Sequence, residues 1–249
     1  MLILCDKRGR VRPALMLAGR AGDAREVGIV GWLGKILGST VGQKVIVGLT
    51  GLALFLFVLI HLVENLMVMG PNGGQALNEW AAFLHSLPIL PLLEIGLFSM
   101  LLIHIGLTVK LTRANLASRG SRYASTGTKR TDKLGVLASR TMPISGVIVL
   151  AFLALHIWDF RLDREGTEAV GGISIAIGNK LAVGWRAAIY MVGVSVIAWH
   201  LSHGIQSAFR SFGVNHSKWT PVIVKAGSAL ALIIGIGFVA IPLWALFIR

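Results

Sequence analysis

The chain has a single cysteine, Cys5, in 249 residues. No intrachain disulfide can form, and an iron–sulfur cluster, which needs several thiolates, cannot be held by this chain alone. Charge is scarce as well. Only 14% of residues are Asp, Glu, Lys or Arg, against roughly a quarter in soluble globular domains. Acidic residues are the rarer sign, 11 against 24 basic ones. The opening stretch MLILCDKRGRVRPALMLAGRAGDAR reads as no cleavable signal, because its apolar piece is short and arginines interrupt it. No internal repeat divides the chain.

What is abundant is apolar sequence, 55% of all residues. It falls into five runs: Val45–Met69, Pro88–Lys110, Thr141–Phe160, Trp185–Phe209 and Pro221–Ile248. Each reaches or nearly reaches the ~20 residues a helix needs to cross a bilayer core. A helix satisfies its own backbone groups in lipid. The expectation is an all-α membrane protein, a bundle of five transmembrane helices.

The net charge of +13 is placed by topology. Eight Lys/Arg lie in residues 1–44 and eight in 110–140; the connection at 70–87 has none. Four in 161–186 are offset by Asp163, Glu165 and Glu168, and Arg210, Lys218 and Lys225 mark the fourth connection. This alternation puts the N-terminus in the cytoplasm and the C-terminus outside. It calls for contact with anionic lipid rather than nucleic acid. Residues 1–30 read as a basic, flexible tail and 31–249 as one transmembrane domain. Within it, 32–44 reads as an amphipathic lead-in and the second half of 70–88 as a short interfacial helix. The stretch 161–184 reads as a Gly-rich loop, Gly213 as the residue ending the fourth helix and Pro221 as the first of the fifth.

Four of the five segments carry histidine: His61, His104, His156, and the fourth His200 and His203. Ionisable residues in spanning segments are costly and point to function. With ~1.5 Å rise per residue, His61 lies ~6 Å and His156 ~8 Å outward of their segment middles. His104 lies ~8 Å and His200 ~5 Å inward. Two layers result, on the order of 13 Å apart. Two imidazoles from different helices at one depth can bind a haem iron from both sides. Two layers suggest two haems and an electron path across the membrane. Zinc or di-iron would want three or four ligands at one level. A proton-coupled transporter would use buried His and Glu, with no need for a pair at each of two depths.

Several strings are also familiar. GQKVIVGLTGLALFLFVLIHLVENL carries Thr-Gly ten residues before His61; LNEWAAFLHSLPILPLLEIGLFSMLLIHIGLTVKLTRAN, ASRTMPISGVIVLAFLALHI and AWHLSHGIQSAFRSFGVNHSKWTP follow in order. Together, over residues 38–248, they resemble the single-chain, five-helix, dihaem cytochrome b anchors of succinate dehydrogenase and fumarate reductase. The resemblance implies two b haems, ligated by His104 with His200 near the iron–sulfur subunit and by His61 with His156 on the outer side. It implies flavoprotein and iron–sulfur partners on the cytoplasmic side, a quinone substrate (menaquinone or ubiquinone), and a bacterial cytoplasmic membrane. A higher oligomer of the complex is compatible with it. His200 is preferred to His203 by its distance to Gly213, leaving His203 as a neighbour in the haem surroundings.

The pattern departs at Glu64, where the family usually has a small residue; roles in quinone protonation or in pairing with the outer loop are both open. Ala198 stands where some fumarate reductases carry a glutamate. Lys44, Ser139, Arg140 and Ser145 are candidate partners for propionates of the inner haem. Other readings are the cytochrome b of a formate dehydrogenase or hydrogenase, and the transporter. The chain by itself carries no succinate chemistry.

Overall fold

The computed structural model describes residues 29–118, 133–163, 167 and 170–248. The tail expected at 1–30, with Cys5, lies almost wholly outside the described residues, as do most of the second connection and Arg249. No strand occurs among the described residues. In chain order the helices are α1 (Ile29–Gly38), α2 (Thr40–Leu66), α3 (Pro71–Ser86), α4 (Leu90–Ala117), α5 (Lys133–Ile157), α6 (Ile173–Leu181), α7 (Gly184–Ser211) and α8 (Trp219–Phe247). Five spans are long and apolar enough to cross a membrane: Thr40–Met69, Leu90–Ala117, Arg140–Leu162, Gly184–Ser211 and Trp219–Phe247. They match the five apolar runs.

The boundaries have local causes. Ser39 is extended, and its hydroxyl accepts the Gly42 N–H at 3.0 Å, an N-cap that separates α1 from α2. Residues 40–44, expected in the lead-in, therefore belong to the first span. Helix α7 ends where expected. Gly213 takes φ 83, its N–H donates to the Arg210 carbonyl, and the Val214 N–H donates to Phe209. That is a Schellman motif, which a residue with Cβ would adopt at a cost. Helix α8 starts at Trp219, ahead of Pro221, within the usual fraying of helix ends.

The end of the bundle away from the Lys/Arg-rich connections, called the far end here, is more structured than a loop reading allows. Helix α3 supplies the expected short helix, after Asn72, Gly73 and Gly74 turn the chain at positive φ. The span of α5 continues as a π-helical turn, Trp158–Leu162. Helix α6 lies inside the stretch expected to be loop. It buries Ala176, Ile177 and Leu181 against the bundle, so tertiary packing makes a helix that ISIAIGNKL barely advertises.

Helix α7 is the centre of the bundle and packs on α8, α5 and α2. Helix α4 packs chiefly on α2 and has no buried residue. Its Leu92, Ile95, Phe98 and Leu102 face outward, as lipid contact requires of a spanning helix. Lipid tails are as apolar as leucine, so close packing must hold such helices together. Gly193 of α7 shows how close: a Cβ there would fall 2.2 Å from the Phe152 ring of α5.

Candidate metal centre

The four histidines fall into two groups. At the far end, His61 of α2 and His156 of α5 meet ring to ring, centroids 5.8 Å apart and planes at 83°. Aromatic rings enclose them. Phe57 stacks on His61 at 5.3 Å and Phe238 lies 6.0 Å away. Phe152, Phe160 and Tyr190 surround His156 at 6.1, 5.5 and 6.2 Å. Nδ1 of His156 is buried with no hydrogen-bond partner.

One layer away, His104 of α4 lies against α2, and His200 of α7 lies against α5. Each is held by the same device. The Thr50 hydroxyl is 3.2 Å from His104 Nδ1, and a Cβ on Gly51 would be 3.0 Å from that ring. The Ser145 hydroxyl is 3.0 Å from His200 Nδ1, and a Cβ on Gly146 would be 3.6 Å from its ring. Gly51 precedes His61 by ten residues and Gly146 precedes His156 by ten, so the two layers are about 15 Å apart along the helices.

The hydrogen bonds suit one ring tautomer. The Thr50 hydroxyl is placed to donate to the Ile46 carbonyl at 2.8 Å, and Ser145 to Met142 at 3.0 Å. Each hydroxyl so placed accepts from an imidazole with hydrogen on Nδ1, and the Val47 carbonyl also takes a hydrogen bond from the His104 ring. Nε2 keeps its lone pair, the form in which a histidine ligates a metal.

Among the described residues no group of three or more His, Cys, Asp or Glu side chains could hold a metal ion. The histidines that meet are a pair from two helices, His61 and His156. A metal–imidazole bond is about 2 Å, so two imidazoles on one iron stand with centroids roughly 6 Å apart. The far-end pair already has that spacing.

The other expected site residues are placed as follows. Glu64, one turn after His61, sets its carboxylate 3.8 Å from His61 Nδ1. The Asn65 amide is 3.2 Å from the same nitrogen and also donates to the His61 carbonyl. Trp80 of α3 lies beside Glu64, its buried indole N–H making no hydrogen bond of ordinary geometry. Glu64 thus faces the histidine rather than open solvent. Ser145 is turned to the His200 imidazole. Lys44 and Arg140 are exposed at the basic end, and the side chain of Ser139 lies outside those described. His203 is buried one turn beyond His200.

Two features were missed in the sequence. One is Thr50. The other is a buried carboxylate, Asp159, in the π turn after His156. It accepts the Tyr190 hydroxyl at 2.9 Å and lies 3.4 Å from Arg186, with Lys180 bridging to Asp163 at 2.6 Å. Asp159 is 2% exposed, and a buried charge needs such partners. The string HIWDFRL advertises it weakly, as an acid inside an apolar span. Nearby, Arg161 grips Glu94 of α4 through two hydrogen bonds, 3.0 and 2.8 Å.

The chain is similar to the succinate dehydrogenase cytochrome b558 subunit of Bacillus subtilis (strain 168), with 28% identity over 195 residues. The match covers 77% of this chain and 88% of that protein. It supports the resemblance drawn from the sequence strings. No family model matches the chain, and no solved structure matches it significantly.

Proposed function

We propose that this chain is the membrane-anchor and electron-transfer subunit of a succinate:quinone oxidoreductase, holding two b haems. What supports the reading is the meeting of His61 and His156, ring centroids 5.8 Å apart, with His104 and His200 standing about 15 Å further along the same helix bundle. The similarity to a succinate dehydrogenase cytochrome b subunit supports it.

In this reading His61 with His156, and His104 with His200, would each hold one haem iron. When bound, each haem supplies one-electron redox chemistry at its iron. The chain supplies the rest. Thr50 and Ser145 orient the inner imidazoles. The rings of Phe57, Phe152, Phe160, Tyr190 and Phe238 shield the outer pair from water, which tunes potential through burial. The basic connections face the cytoplasm, where the flavoprotein and iron–sulfur subunits dock, in a bacterial cytoplasmic membrane. Electrons pass between that surface and a quinone, and Glu64 stands beside the outer ligand where a proton would be needed.

The test is a reduced-minus-oxidised visible spectrum of the purified membrane complex, with haem quantified per polypeptide. Two b haems per chain are expected. His61→Ala and His156→Ala each lose one haem while the other persists, and His104→Ala and His200→Ala lose the complementary one. A haem-free preparation, or an inner-pair variant that keeps both haems, refutes the reading.

A further inference from the structure

The inner pair is supported in a way the outer pair is not. His104 and His200 come from α4 and α7, and each is met by a hydroxyl followed by a glycine on the helix it faces: Thr50–Gly51 on α2, Ser145–Gly146 on α5. At Gly51 the missing Cβ lets the His104 ring lie against the helix, whereas at Gly146 a Cβ would make only an ordinary contact. The hydroxyl, one residue earlier, is placed to accept the Nδ1 proton, and on α2 the Val47 carbonyl also reaches the His104 ring. Both hydroxyls are buried, at 9% for Thr50 and 4% for Ser145, so water does not compete for that proton. Both also stand within donating distance of a carbonyl of their own helix, which leaves the hydroxyl oxygen to accept from the ring. The outer pair has neither hydroxyl nor glycine: His156 Nδ1 has no hydrogen-bond partner, and His61 Nδ1 faces Asn65 and Glu64.

Resting on the inner pair as axial ligands of one haem, we propose that Thr50 and Ser145 are positioning residues that together set the redox potential of that haem. An acceptor at Nδ1 makes an imidazole a stronger donor through Nε2, and such outer-shell partners tune metal affinity and potential. A stronger donor favours ferric iron. Removing either hydroxyl therefore makes the inner haem easier to reduce and leaves the outer haem alone. The two hydroxyls would each act through one ligand of the same haem, so their effects would combine on the same spectral component.

The experiment is a redox titration of the whole membrane complex followed in the visible spectrum, with low-temperature EPR of the oxidised form. Thr50→Val keeps the shape and loses the acceptor; Ser145→Ala does the same on the other side. Each is expected to keep two haems per chain. Each should shift the ferric-to-ferrous ratio of one haem threefold to tenfold towards ferrous at fixed potential, about 30–60 mV upward for a one-electron couple. The haem that moves must be the one lost in His104→Ala, and Thr50→Ser must restore the parent potential.

If both variants hold two haems with unchanged midpoints and EPR signals, the proposal is overturned while the ligand assignment stands. A shift in the other haem also overturns it. If His104→Ala loses no haem, the underlying assignment fails instead, and the two failures are distinct. Should Thr50→Val lose a haem, the midpoint of Ser145→Ala decides the proposal: a shift supports it and an unchanged value overturns it.

Discussion

Gly51→Ala is the sharpest single-atom probe of the inner site. The new Cβ would stand 3.0 Å from Cε1 of His104. Carbon atoms prefer roughly 3.5–4.0 Å, so the imidazole must retreat by about 0.5 Å or more. Metal constellations tolerate about 0.5 Å before function suffers, so the displacement is of the size that matters. Overpacking of this kind costs typically about 1–3 kcal/mol. Alanine in mid-helix returns about 1 kcal/mol over glycine, so overall stability should change little while the inner ligand moves. Gly146→Ala is the matched control: its Cβ would lie 3.6 Å from His200, an ordinary contact. The assay is haem content and EPR of the purified complex. Gly51→Ala should weaken or distort one haem signal, the same one lost in His104→Ala, and Gly146→Ala should leave both. Two silent variants, or a stronger effect from Gly146→Ala, would refute the packing argument.

Two further outcomes follow from the far half of the bundle. Gly193→Ala puts a Cβ 2.2 Å from the Phe152 ring; it should lower the yield and melting temperature of the complex, and Phe152→Leu in the same chain should recover part of both. Tyr190→Phe removes the hydroxyl that donates to buried Asp159. A hydrogen bond to a charged group is worth about 1.5–3 kcal/mol, so on the proposed reading the haem held by His61 and His156 should be released at lower temperature with the other unaffected.

Five spans, their order and the depth of each histidine are properties of the sequence alone. A run of apolar residues measures its own length against the bilayer, and the fixed rise of a helix turns a residue number into a height. That is why His61 and His156 could be sorted into one layer and His104 and His200 into another without coordinates. The Schellman end at Gly213 was legible for a similar reason: a glycine after an apolar helix is a local signal. What surrounds each imidazole was decided in three dimensions. Thr50 lies 54 positions from His104 and Ser145 lies 55 from His200, and they meet only because α2 and α5 turn those faces towards α4 and α7. Asp159 drew no reading from the sequence, because the partners that make it notable, Tyr190 and Arg186, are assembled only by the fold. Helix α6 read as loop because its apolar residues find their partners on the end of the bundle, not within the segment. Height along a helix is set by covalent geometry, whereas rotation about its axis and choice of neighbour are set by packing.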